Sequence, residues 1–275
     1  MAELFDCSDA SQLLIGARTA RQAIGRGELI VLPTDTVYGV AADAFSPQAV
    51  TKLLEAKGRG RQSPPPVMVA DMAAVGALAE SVPECVERLA AAFWPGPLTI
   101  VLPAQPSLSW DLGDTGGTVA LRIPAHDVTL EILRETGPLA VSSANKHGVP
   151  AAKNAAEADD MLGDSVAAVL DAGEVPTGES STIVDATRVS EGKLRILRQG
   201  PVGIADLVEV CPELEVSVAP KRPVAPAEPE PELTEAEPAD AELADSEPTD
   251  AEATGAEPTE AQPAEEAPAA EASSN

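Results

Sequence analysis

Four polar residues, Thr34, Asp35, Thr36 and Tyr38, interrupt an otherwise apolar stretch, LIVLPTDTVYGVAA, at positions 29–42. Unpaired burial of such groups costs about 1–3 kcal/mol each, so they either pair within a turn or meet a ligand. Further along, Lys57, Arg59 and Arg61 crowd five residues between apolar segments, with Pro64-Pro65-Pro66 just beyond. Arginine forks and a lysine point charge in such a loop could grip a polyphosphate. Cations and a glycine after a helix also suit a plain C-terminal cap. Arg122 lies between Leu121 and Ile123 in a strand, and Arg198 closes a strand before Gly200. Each could equally be a surface or edge charge, because strand alternation permits it. Ser142, Ser143 and Asn145 end one strand, while Ser180, Ser181 and Thr182 precede another. Singly these are turn and cap residues; together with the scattered cations they suggest an anion-holding cleft.

Other chemistries find little support. No serine sits in a G-x-S-x-G elbow, and there is neither G-x-G-x-x-G nor G-x-x-x-x-G-K-[ST]. His126 and His147, the only histidines, lack neighbouring ligands at metal spacing, and Cys7, Cys85 and Cys211 are too scattered for a zinc site or a disulfide framework.

The elements that must position these residues follow from periodicity. Leu13, Leu14, Ala17, Ala20 and Ile24 repeat at helical spacing over residues 9–26, with Ser8 or Asp9 as N-cap. Further helices are expected at 47–56, 73–80, 84–93, 128–135 and 204–210, and strands at 29–32, 67–70, 98–102, 118–123, 139–141, 166–170, 181–184 and 194–197. Phe93 and Trp94 read as core. Several strands follow one another without a helix, which predicts a mixed α/β sheet rather than strict βαβ alternation.

The 275 residues carry a formal net charge of −27. From Pro223 onward stand 16 of the 45 acidic residues and none of the 18 Lys and Arg, with nine prolines and no aromatic. Such a segment cannot bury enough apolar area to offset its ordering entropy. The expected division is therefore a folded domain over 1–215 and a disordered Pro/Ala/Glu-rich tail over 216–275. The overall acidity disfavours generic nucleic-acid binding. The N-terminal residues lack a basic and apolar leader pattern, and no apolar run approaches a membrane span, so a cytoplasmic protein is expected.

Taken in order, the motifs resemble the YrdC-like family of threonylcarbamoyl-AMP synthases. These are PTDTVYG at Pro33–Gly39, Lys57-Gly58-Arg59, WPGPLT at Trp94–Thr99, VALRIP at Val119–Pro124, Ser143-Ala144-Asn145, Ser181-Thr182-Ile183 and Leu197-Arg198-Gln199-Gly200. Seven in register span the whole expected domain. The resemblance implies a twisted, almost barrel-like open sheet around a concave cationic cavity. It implies that L-threonine, bicarbonate and ATP give threonylcarbamoyl-AMP and pyrophosphate, with magnesium riding on the nucleotide. The intermediate would pass to a separate threonylcarbamoyl transferase complex acting on an adenosine beside the tRNA anticodon, with at most a weak tRNA contact here.

By that resemblance Thr36, Arg122 and Ser181 hold threonine, while Lys57, Arg59, Ser63, Thr118, Ser143, Asn145 and Arg198 surround ATP. Lys57 and Arg59 carry the catalytic charge neutralisation, and Thr34, Asp35 and Tyr38 shape the turn. No protein metal site and no covalent nucleophile are expected. Three positions depart from the pattern of many relatives: Ser63 for asparagine, Met68 for histidine and Ala151 for serine. A carbamoyl transferase of the hydrogenase-maturation type and an RNA-binding module for tRNA or ribosome maturation are the alternatives. The chain resembles the short, single-domain form with an added acidic extension.

Overall fold

In a computed structural model of the chain, described over residues 2–220, seven α-helices accompany one eleven-stranded sheet. The N-terminal half contains β1 (Glu3–Asp6), α1 (Ala10–Gly25), β2 (Ile30–Leu32), β3 (Gly39–Asp43), α2 (Pro47–Ala56), β4 (Val67–Met68), α3 (Met72–Leu78), α4 (Glu84–Phe93), β5 (Leu98–Pro103) and β6 (Thr118–Arg122). There follow α5 (Asp127–Thr136), β7 (Leu139–Ser143), α6 (Ala155–Leu162), β8 (Ala168–Asp171), β9 (Thr182–Asp185), β10 (Lys193–Arg198), α7 (Ile204–Val210) and β11 (Glu215–Val218).

The strand order is β1-β8-β2-β3-β7-β4-β6-β5-β9-β10-β11. Pairings are mixed: β2, β3, β7 and β4 run antiparallel in turn, whereas β4 with β6, β5 with β9 and β10 with β11 are parallel. The expected mixed α/β sheet is therefore present. β1 and β11 remain as the two edges, so the curled sheet does not close.

Local chemistry accounts for most helices. Asp9 caps α1 by accepting from the Ser11 and Gln12 amides, both at 2.9 Å. Ser46 caps α2, with Pro47 in its first turn. Four elements fall outside the sequence expectation: β1, β3, α6 and β11. In α6 only Ala155, Ala158 and Leu162 are buried, too small a set to show apolar periodicity. Its start is nevertheless written in the sequence: Asn154 accepts from the Glu157 amide and Glu157 accepts from the Lys153 amide. β11, with no fully buried residue, takes its register from β10. It carries the sheet past the boundary expected at residue 215, to Val218. The proposed tail otherwise lies outside the described residues.

Period-two alternation divides the central strands between two environments. In β5, Leu98, Ile100 and Leu102 enter the main core while Thr99 and Val101 face a cavity. In β6, Thr118, Ala120 and Arg122 line the cavity, Leu121 joins that core, and Val119 touches both. Seven consecutive strands of the order, β3 through β10, contribute to its wall. A flat sheet could not enclose a space in this way; a strongly twisted one can. Among the described residues, no helix is long and apolar enough to cross a membrane.

Candidate active site: an arginine-lined cavity

The cavity has a volume of about 360 Å³. Its walls carry Arg59, Arg122 and Arg198 and no Asp or Glu. In a chain of net charge −27, three guanidiniums facing one space are a specific arrangement.

Arg122 is placed by β6 and is only 4% exposed, so the surface-charge alternative is wrong for it. Its Nη2 donates to Asp35 Oδ1 at 2.7 Å, its Nη1 to Thr36 Oγ1 at 3.0 Å and its Nε to the Gly96 carbonyl at 3.0 Å. These bonds use three of its five N–H groups and leave two for a ligand. Asp35 also accepts from the Ala125 amide at 2.9 Å, so one carboxylate fixes both the arginine and the β6–α5 loop. Burial lowers the Arg122 pKa, and the Asp35 charge opposes that shift.

The turn that supplies Thr36 is self-contained. Thr34 Oγ1 donates to the Val37 carbonyl at 2.6 Å and accepts from the Thr36 and Val37 amides. Tyr38 is fully buried, and its hydroxyl donates to the Gly173 carbonyl at 2.7 Å. Burial pushes its pKa up to about 12. Both residues also line the cavity.

Lys57-Gly58-Arg59 is both a helix cap and a route into the site. Gly58, at φ +62°, donates to the Glu55 carbonyl at 2.9 Å, and the Arg59 amide donates to the Leu54 carbonyl at 2.8 Å. These two bonds form a Schellman motif, which requires a left-handed residue and hence favours glycine. The reversal sends the two cations to different places. Lys57 is fully buried and does not line the cavity. Its ammonium donates to the Ser143 carbonyl, to the Asn145 carbonyl at 2.7 Å and to Asn145 Oδ1 at 3.2 Å, which occupies all three protons. Burial first, and the Arg59 charge second, depress its pKa to about 7. Asn145 is likewise consumed, its Nδ2 donating to the Lys146 and Val149 carbonyls. The structure thus sets Lys57 and Asn145 behind the wall, where they brace the end of β7, and not among the groups facing the cavity.

Arg59 does face the cavity. Its side-chain partners are His147 Nδ1 at 3.4 Å and Ser142 Oγ at 3.5 Å, neither of them a carboxylate. Burial lowers its pKa. Arg61, by contrast, points away and forms a two-point bond with Asp111, at 2.7 and 3.0 Å. That pair joins the loop after α2 to the loop carrying Leu112 and Thr115, both of which line the cavity.

Arg198 reaches the site through an irregularity. The β9–β10 register shifts between Ile196 and Arg198, so that Leu197 and Arg198, which alternation would separate, both line the cavity. Arg198 donates to the Ser181 carbonyl at 2.9 Å and to Ser181 Oγ at 3.0 Å. Ser181 Oγ lies 2.8 Å from Thr99 Oγ1, a wall residue not singled out from the sequence although alternation in β5 would have exposed it. Burial, then Arg122, then Arg59 bring the Arg198 pKa down to about 10. The part of that depression due to Arg122 and Arg59 means an anion binding here would relieve repulsion already present. Gly200 has to be glycine for steric reasons: a Cβ would meet the Ser180 carbonyl oxygen at 2.4 Å and the Thr182 amide nitrogen at 2.6 Å.

Of the predicted site residues, Thr36, Arg59, Ser63, Thr118, Arg122, Ser143, Ser181 and Arg198 share the cavity wall. Met68 joins them; Ala151 does not. The donor set does not fit a protein-held divalent cation. Among the described residues no three His, Cys, Asp or Glu cluster, and Asp35 is engaged by Arg122.

The Sua5/YciO/YrdC family model, described as "Telomere recombination", matches residues 22–200. A Mycobacterium tuberculosis protein provisionally named threonylcarbamoyl-AMP synthase is 50% identical over 210 residues, 76% of this chain and 95% of that protein. The crystal structure of Pyrococcus abyssi Sua5 complexed with L-threonine superposes with a TM-score of 0.69 at 31% identity. The match covers 78% of this chain and 62% of the archaeal one. Escherichia coli YciO, 19% identical with a TM-score of 0.66, shares the fold over 75% of this chain and all of its own. The chain belongs to the Sua5/YciO/YrdC family.

Proposed function

We propose that this protein synthesises L-threonylcarbamoyl-AMP from L-threonine, bicarbonate and ATP with release of pyrophosphate. The observation that carries the reading is the convergence of Arg59, Arg122 and Arg198 on one cavity wall that has no carboxylate. Each of the three reactants carries an anionic group, so the reaction needs anions held together against their repulsion.

In this reading the two free N–H groups of Arg122 take the threonine carboxylate, with Thr36, Ser181 and Thr99 completing a polar floor. Arg59 and Arg198 face the phosphates, and Thr118, Ser143 and Ser63 border the nucleotide. The threonine amine adds to bicarbonate with loss of water, giving a carbamate. A carbamate oxygen then bonds to the α-phosphorus as the bond to the pyrophosphate oxygen breaks. Positioning and charge neutralisation supply the acceleration, which suits a site without a nucleophile. Magnesium would enter as the counter-ion of ATP, bound to phosphate oxygens, and would be discharged with pyrophosphate. The adenylate would serve a separate transferase that modifies tRNA.

The RNA-binding alternative lacks support from the relatives, which carry the name threonylcarbamoyl-AMP synthase. Pyrophosphate release should require threonine, bicarbonate and ATP together, with the adenylate identified by mass. Turnover independent of threonine would refute the reading.

A further inference from the structure

Arg59 faces a problem that His147 solves. A guanidinium that must grip phosphate has to be aimed, yet a carboxylate partner would neutralise it. Arg122 is aimed by Asp35 and is partly neutralised by it. Among the described residues, Arg59 has no ion pair; its Nε donates to His147 Nδ1 at 3.4 Å and its Nη1 to Ser142 Oγ at 3.5 Å. His147 is itself anchored to the same turn, because its amide donates to the Lys57 carbonyl at 2.9 Å. To accept from Arg59, Nδ1 must be unprotonated, which places any ring proton on Nε2. With these contacts made, three of the five Arg59 N–H groups remain for a ligand and the full charge is retained.

We propose that His147 is the positioning residue for Arg59, a neutral acceptor that orients the guanidinium toward the phosphates of the nucleotide without discharging it. The inference rests on the ATP-dependent reading above. It is tested by measuring binding of ATP and of adenosine to the full chain by calorimetry, for wild type, His147→Leu and His147→Asn. Asparagine can present Oδ1 near the position of Nδ1. His147→Leu should weaken ATP about fivefold, the equivalent of one lost hydrogen bond. Adenosine, which lacks phosphates, should bind unchanged, and His147→Asn should return ATP affinity to within about twofold of wild type. In an Arg59→Ala background the leucine substitution should have no further effect.

Equal ATP binding by wild type and His147→Leu would overturn the inference. So would equal weakening of ATP and adenosine, which would show general damage to the loop, or a His147→Asn variant as weak as leucine. Failure of wild type to bind ATP at all would instead overturn the ATP-dependent reading, and this inference with it.

Discussion

Asp35→Ala is the substitution that most directly tests how the cavity is held. Arg122 is 4% exposed and the Asp35 side chain 14% exposed, so neither charge is well solvated. The change removes the 2.7 Å bond to Arg122 Nη2 and the 2.9 Å bond from the Ala125 amide. Breaking a buried pair by deleting one partner costs about 3–5 kcal/mol, because the other charge is left uncompensated. At about 2–4 °C per kcal/mol for a body of this size, the melting temperature should fall by roughly 6–20 °C. Urea unfolding should show the same loss as a lower midpoint at unchanged slope. Adding Arg122→Met removes the orphaned charge, so the double variant should be more stable than Asp35→Ala alone. Threonine KM should rise in all of these variants. A loss under about 1 kcal/mol for Asp35→Ala, or a double variant no better than the single, would refute the argument that this pair sets the Arg122 position.

Other outcomes follow from the same geometry. Arg59→Ala should raise the KM for ATP at least tenfold while the unfolding free energy stays within about 0.5 kcal/mol of wild type, since among the described residues it makes no ion pair and its removal relieves repulsion. Lys57 binds fewer protons in the native state, with a pKa of about 7, than in the unfolded chain. Stability should therefore rise as pH increases from about 7 toward the unfolded lysine value near 10.4. Lys57→Met, followed by urea unfolding across that range, should abolish the rise. Gly200→Ala forces backbone atoms of the Ser180–Thr182 segment apart and should cost about 1–3 kcal/mol. It should also raise threonine KM through displaced Ser181, as read by steady-state kinetics.

Sequence alone determined which residues could take part, and through alternation which strands would carry them. Thr118 and Arg122 fall on one face of β6 because a strand has period two, and that is visible in TVALR. The Schellman turn at Lys57-Gly58-Arg59 was also legible, since glycine after a helix with flanking cations has a local cause. Tertiary structure decided what each cation does. Lys57 and Arg59 are two residues apart, yet one is spent on three oxygens behind the wall and the other is aimed at the cavity. That division depends on where the end of β7 lies, a contact 86 residues distant. The β10 register shift that delivers Arg198 likewise depends on pairing with β9. Local propensities are set by neighbours in the chain, but the field and the acceptors around a charge are set by neighbours in space. PTDTVYG shows both at once. Its turn is closed by Thr34 within four residues, whereas Asp35 and Thr36 acquire their purpose only from Arg122, delivered by β6, three strands along the sheet from β3.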